Sequence, residues 1–174
     1  QPNSIPLFEI SWTEQDIEAV TESIKRGGLW AKGPYVDQFE SKIEDFLNVD
    51  NALVVNSGTT ALVAALHGLE IGEGDEVIVP AFTFIATANA VRLVGAEPVF
   101  ADIEPNTYGL DPVSVEDNLS ESTAAIIPVH PYGTSCRIDE LVDLAAKHDI
   151  ALIEDAAEVL GAEFDGQKLG SLEM

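Results

Sequence analysis

Residues 150 to 161, Ile-Ala-Leu-Ile-Glu-Asp-Ala-Ala-Glu-Val-Leu-Gly, set two carboxylates directly behind a short apolar run. Ile150 to Ile153 suits a buried strand. Asp155 then stands where open α/β sheets bind their ligands, in the crevice outside the strand ends. The competing reading is that Asp155 caps the turn or helix that follows. A second candidate is Val54-Val-Asn-Ser-Gly-Thr-Thr-Ala61, where a strand runs into Asn56-Ser57-Gly58 and a helix opens at Thr59-Thr60. Free N–H groups at a helix N-terminus, with hydroxyls beside them, make an anion site, and Gly58 lets the backbone approach a phosphate closely. Simple capping by Ser57 is the alternative. No Gly-Lys-Ser/Thr follows, so this is not a Walker loop.

Two further stretches also follow strands. In Pro80-Ala-Phe-Thr-Phe-Ile-Ala-Thr-Ala-Asn-Ala90, Phe82 or Phe84 has the shape to lie flat on a planar ligand; both as core aromatics is the other reading. In Val129-His-Pro-Tyr-Gly133, His130 is a candidate general base or ring-stacking group, or a structural histidine. His130 with Cys136 has no metal-ligand spacing, and no metal is expected. His67 and His148 fall in predicted helices as surface or packing residues. Taken together, the stretches place an anion cradle, an aromatic ring and a carboxylate along one sheet edge. That set fits a flat, phosphorylated, nitrogen-containing ring. Pyridoxal phosphate is such a ligand, and a carboxylate opposite its ring nitrogen keeps that nitrogen protonated and strengthens the electron sink.

The elements that must position these residues show in the periodicity. Thr13-Glu-Gln-Asp16 starts a helix that runs to Arg26 and stops at Gly27-Gly28. Pro34 opens a second helix whose core face uses Val36, Phe39, Ile43, Phe46 and Leu47. From Asn51 strand and helix alternate. Strands are predicted at 52–55, 76–79, 98–101, 124–129 and 150–153. Helices are predicted at 58–69, 83–94, 112–119 and 138–148, and Phe164-Asp-Gly-Gln reads as a hairpin turn. Units of this length imply a mostly parallel sheet covered on both faces.

The 174 residues carry 31 acidic and 8 basic side chains, a net charge of −23, with 46% hydrophobic content. The chain is therefore expected to fold, and no basic stripe exists to meet nucleic acid. Self-repulsion of this size weakens a compact state in dilute salt, and about 1 M salt screens it to roughly 3 Å. A protein of a high-salt cytoplasm is expected. Cys136 is the single cysteine, so no intramolecular disulfide forms. No apolar stretch is long enough for a bilayer and no charged-then-apolar leader opens the chain, so a soluble, cytoplasmic protein is expected.

The chain resembles the N-terminal part of the DegT/DnrJ/EryC1/StrS sugar aminotransferases, fold-type I pyridoxal-phosphate enzymes that aminate nucleotide-linked keto sugars. The matching stretches are Gly28-Leu-Trp-Ala-Lys-Gly-Pro-Tyr-Val, Asn56-Ser-Gly-Thr-Thr-Ala, Val79-Pro-Ala-Phe-Thr-Phe-Ile-Ala-Thr-Ala-Asn-Ala, Pro128-Val-His-Pro-Tyr-Gly and Ile153-Glu-Asp-Ala-Ala-Glu. The resemblance implies the three-layer α/β/α large domain of that fold, incomplete here. An N-terminal helix and loop segment would span 1–33 and a truncated cofactor-binding domain 34–174, the small C-terminal domain being absent. By the same resemblance, Gly58 and Thr59, with Ser57 beside them, hold the cofactor phosphate. Phe84 stacks on the pyridine ring and Asp155 pairs with its nitrogen. Glu158 occupies a position, commonly Gln or His in relatives, that contacts the ring hydroxyl. A carboxylate there repels a phenolate unless one of them holds a proton.

Trp30, His130 and Tyr132 are the substrate-side candidates; the Trp30 loop could approach a neighbour's site or simply pack. The resemblance implies that the family's imine-forming Lys lies past the Glu-Asp-Ala-Ala stretch in a Ser-containing segment, expected beyond Met174. Of the lysines present, Lys25, Lys32, Lys42, Lys147 and Lys168, none follows a strand end near Asp155. The implied activity is transfer of an amino group from glutamate to a nucleotide-linked keto sugar by a homodimer. A cofactor-dependent sugar dehydratase of the same fold, in which His replaces the Lys, is the first alternative. A non-catalytic cofactor-binding fragment is the second.

Overall fold

The apolar run Val77 to Val79 lies at the heart of the sheet in the computed structural model, which describes residues 5–6, 8–28 and 33–172. Strand β1 (Glu76–Pro80) is flanked by β2 (Glu97–Ala101) and β3 (Thr123–Ile126), and β4 (Ala151–Leu152) pairs with β3. All these pairings are parallel and the order is β2-β1-β3-β4. Successive strand residues point to opposite faces. Val77 and Val79 therefore join one core with Leu62, Leu66 and Val91, while Ile78 joins the other with Ile126, Leu141 and Leu152. Both faces are covered, which is why these strands carry continuous apolar runs and no alternation.

Helices supply the two outer layers. Those named in the sequence recur as α3 (Gly58–Gly68), α4 (Ala86–Leu93), α5 (Pro112–Asp117) and α6 (Ile138–His148). The architecture is the expected three-layer α/β/α with a parallel sheet. Helix α4 begins later than expected because Thr83 to Ile85 form the turn out of β1. The hairpin forms as β5 (Glu163–Phe164) and β6 (Gln167–Lys168). Its turn residues Asp165 and Gly166 have φ of 48° and 83°, the left-handed pair that a tight two-residue hairpin requires. Gly109 has a different need: a Cβ there would lie 2.2 Å from the Cβ of Cys136. Burial, followed by the charge of Glu154, pushes the Cys136 thiol up to about 12.

The chain divides into two compact units, Gln1–Phe39 and Glu40–Met174. In the first, α1 (Glu14–Arg26) starts with the expected capping box: Thr13 Oγ1 accepts the Asp16 N–H and the Asp16 carboxylate accepts the Thr13 N–H. Helix α2 (Pro34–Leu47) begins at Pro34, but none of its residues is buried. Of the expected core face, Phe39 and Phe46 are exposed and Val36, Ile43 and Leu47 only half-buried.

A second expectation fails at 52–55. Among the described residues this segment pairs with no strand. The Ala52 N–H donates to Glu44 and the Val54 N–H to Glu40, and Leu53 is 78% exposed. An apolar, β-branched run makes a strand only where a neighbouring strand reciprocates its hydrogen bonds. Here glutamate carboxylates take that place.

Candidate functional site

The strand order reverses between β1 and β3: the chain steps outward from β1 to β2, then returns to the other side of β1. The segments leaving these two strands must diverge, and that divergence opens a crevice at their C-terminal ends. A cavity of about 570 Å³ lies there. The segment after β1 brings Phe82, Thr83, Phe84 and Thr87 to it, the segment after β3 brings Val129, Pro131 and Tyr132, and the segment after β4 brings Asp155 and Glu158. Ser57, Gly58 and Thr59 close it with the N-terminus of α3.

Asp155 is placed by main-chain pairing. Its N–H donates to Pro128 O at 2.9 Å and its O accepts the His130 N–H at 3.2 Å, so the sheet continues one bridge beyond its regular strands, Val129 against Asp155. Asp155 Oδ1 accepts the Ala157 N–H at 3.2 Å and Oδ2 accepts the hydroxyl of Thr87 at 3.3 Å. Asp155 thus does engage the following turn, and its carboxylate also lines the cavity. Thr87 is buried and was not singled out in the sequence. The available signal was Thr83 and Thr87 one helical turn apart behind a strand end, since a buried hydroxyl needs a partner.

Ser57 is the N-cap of α3. Its Oγ accepts the Thr60 N–H at 3.1 Å and lies 2.9 Å from Thr60 Oγ1, which itself donates to Asn56 Oδ1 at 2.8 Å. The Ser57 hydroxyl is therefore committed to its own helix. The Gly58 and Thr59 N–H groups are not: among the described residues neither has a hydrogen-bond partner, and a Cβ on Gly58 would meet nothing within 4 Å. Open space, free donors and the positive end of the helix dipole make this the anion-accepting corner. It is needed, because the cavity's ionisable walls are Asp155, Glu158 and Tyr132, with no Lys or Arg among the described residues that line it.

Phe84 is 77% exposed and lines the cavity. Phe82 is tilted by 51° against both Tyr132 and Tyr108, at 6.3 and 6.4 Å between ring centroids. Tyr132 adopts left-handed backbone (φ 56°, ψ 27°), and its N–H donates to Glu158 Oε2 at 2.7 Å. One oxygen of Glu158 is thereby occupied by the protein itself.

The structure brings Ser57, Gly58, Thr59, Phe84, Asp155, Glu158 and Tyr132 to one cavity. It does not bring His130, whose expected contact with substrate is corrected: the residue is fully buried, with both ring nitrogens bonded inside the protein. Trp30 and Lys32 lie outside the described residues. Lys147 pairs with Glu116 at 2.5 Å, and Lys168 sits 3.9 Å over the Phe46 ring.

The family model of the DegT/DnrJ/EryC1/StrS aminotransferases matches residues 11–174. The chain belongs to that family. A GDP-perosamine synthase of Caulobacter vibrioides is 46% identical over 169 residues, covering 97% of this chain and 45% of that protein. Among solved structures, S. venezuelae DesV superposes with a TM-score of 0.87 at 39% identity, over 91% of this chain and 43% of DesV. Spr1654 of Streptococcus pneumoniae in its PMP form gives 0.90 at 33% identity, over 95% of this chain and 46% of that one. The chain thus spans less than half the length of these relatives.

Gly58 separates folding from binding. It opens α3 without a positive φ, so Gly58→Ala leaves thermal stability unchanged or raises it by up to about 1 kcal/mol. The added methyl occupies the space an anion would use, and the affinity of the full-length protein for pyridoxal phosphate is expected to fall at least about tenfold, ~1.4 kcal/mol. Equal affinity in a titration of both proteins contradicts this placement of the anion.

Proposed function

We propose that residues 34–174 form the cofactor-binding large domain of a pyridoxal-phosphate-dependent aminotransferase, which moves an amino group from glutamate to a nucleotide-linked keto sugar. The observation that carries this reading is the convergence of a donor-rich helix N-terminus, an exposed aromatic ring and a strand-end carboxylate on one cavity. Bound there, the cofactor supplies an aldehyde carbon that takes up the amino group and a pyridinium ring that accepts electrons.

The chain's own residues do the rest. The Gly58 and Thr59 N–H groups hold the phosphate, with the Thr59 hydroxyl beside them. Phe84 covers one face of the ring and excludes water from it. Asp155, steadied by Thr87 and Ala157, holds a proton at the ring nitrogen. Glu158 keeps one oxygen on the Tyr132 N–H, and its other oxygen would be the one available to the ring hydroxyl, a contact that requires a proton on one of the two groups. Tyr132 lies on the substrate side. By family likeness the imine-forming lysine would lie further along the chain than Glu154-Asp155; among the described residues no lysine lines the cavity. Family membership supports a homodimer, and so does the exposure of Leu53, Ile85 and Leu160 in the single chain. A cytoplasmic location fits a substrate class built from nucleotide sugars.

The test is isotopic. With the full-length protein, pyridoxal phosphate and a panel of nucleotide-linked keto sugars, nitrogen-15 from labelled glutamate is expected in the sugar product. A product that has lost a hydroxyl and gained no nitrogen contradicts aminotransfer in favour of the dehydratase. No turnover by the cofactor-loaded protein on any panel member favours the non-catalytic module.

The net charge of −23 supports a high-salt cytoplasm. The denaturation midpoint is expected to rise steadily from dilute salt to about 1 M, where screening reaches roughly 3 Å. A midpoint independent of salt contradicts that origin.

A further inference from the structure

Behind the cavity wall, the side chains one position along from the ligand-facing ones pair with each other. His130 is 0% exposed and the Glu154 side chain 7%. His130 Nδ1 accepts the Cys136 N–H at 3.1 Å, so the ring proton sits on Nε2, which donates to Glu154 Oε1 at 3.0 Å. The same oxygen accepts the Gly170 N–H. None of the roles assigned above uses this pair, although burying a carboxylate away from water is unfavourable without such partners.

The pair joins the two segments that carry the cavity's ionisable groups, Tyr132 on one and Asp155 and Glu158 on the other. His130 stands between Val129 and Pro131, and Glu154 directly precedes Asp155. In extended backbone, successive side chains point to opposite sides. Glu154 pointing inward therefore sends Asp155 outward. The bonds that Asp155's own carboxylate makes, at 3.2 and 3.3 Å, are long for a charged acceptor and form a loose clamp. On the cavity side a separate bond, Tyr132 N–H to Glu158, laces the same two segments. The main-chain bonds at Asp155 fix where its backbone lies; the inward hydrogen bond is the side-chain constraint that holds Glu154 on the protein side of that backbone.

We propose that Glu154, acting through His130, is a positioning residue for Asp155: their buried hydrogen bond sets the angle at which the Asp155 carboxylate meets the cofactor ring. This rests on the reading of the cavity as a pyridoxal-phosphate site. The bond works by direction, through an acceptor aimed at Nε2–H. An uncharged acceptor of the same shape therefore preserves it, while shortening or deleting the side chain does not.

The test uses the full-length protein with pyridoxal phosphate as probe. It reads the apparent Kd by absorbance titration and the visible circular dichroism of the bound cofactor, which reports ring orientation. Glu154→Ala is expected to weaken binding about tenfold and change the dichroism. Glu154→Gln restores both, because its amide oxygen still accepts from His130 and Gly170. Leu141→Ala, which truncates a fully buried residue of α6, lowers the Tm and leaves Kd and dichroism unchanged. Should Glu154→Ala fail to fold, Glu154→Asp, which keeps the charge and loses the reach, takes its place with the same expected change. Wild-type affinity and dichroism in Glu154→Ala or Glu154→Asp overturn the inference, as does a Glu154→Gln protein impaired as badly as Glu154→Ala. Failure of the unsubstituted protein to bind pyridoxal phosphate overturns the proposed function itself, a separate outcome.

Discussion

Two main-chain hydrogen bonds, Asp155 N–H to Pro128 O and His130 N–H to Asp155 O, carry the parallel sheet one step past its last regular residues. The site depends on that step. It fixes Asp155 beside Val129 at the point where strand order reverses, and so faces it toward the segment that Phe84 and Thr87 occupy after β1. A slip of one residue would turn Asp155 into the protein and Glu154 into the cavity, because strand side chains alternate. The regular pairing of β3 with β4, Ala125 beside Ala151 and Ile126 beside Leu152, holds the register from below. The His130–Glu154 bond resists the slip at the site.

Electrostatics then divide the cavity into two ends. Asp155 and Glu158 make one end acidic and suited to a protonated nitrogen. The other end has no side-chain cation among the described residues and offers only N–H groups and hydroxyls of α3. A helix terminus carries roughly half an elementary charge, so a phosphate bound there keeps much of its negative charge. In a chain of net −23 that is a demanding arrangement. It gives mobile cations a clear place to act.

The main strands and helices were legible in the sequence, because burial on both faces leaves an unbroken apolar signature at 77–79 and 124–127. So was the convergence of Asn56-Ser-Gly-Thr, Pro80-Ala-Phe-Thr-Phe and Glu-Asp155, since each follows an extended run. Tertiary partners were not legible. Residues 52–55 have the composition of a strand, yet their N–H groups meet glutamates. Helix α2 has an apolar stripe of which no residue is fully buried. His130 followed a strand end as Asp155 does, but alternation points it inward, and nothing local distinguishes a residue facing the cavity from one facing the core. Ser57 fits a cap and an anion site equally well by type; only the hydrogen bonds around Thr60 decide that its hydroxyl serves the helix. Thr87 was hidden for the converse reason, since its partner lies far along the chain.

The proposed aminotransfer requires Asp155 to hold a proton at the cofactor's ring nitrogen. The direct measurement is the nitrogen-15 chemical shift of ring-labelled pyridoxal phosphate bound to the full-length protein and to its Asp155→Ala variant. A protonated ring nitrogen in the unsubstituted protein and an unprotonated one in Asp155→Ala is the predicted result. The same protonation state in both would contradict the account.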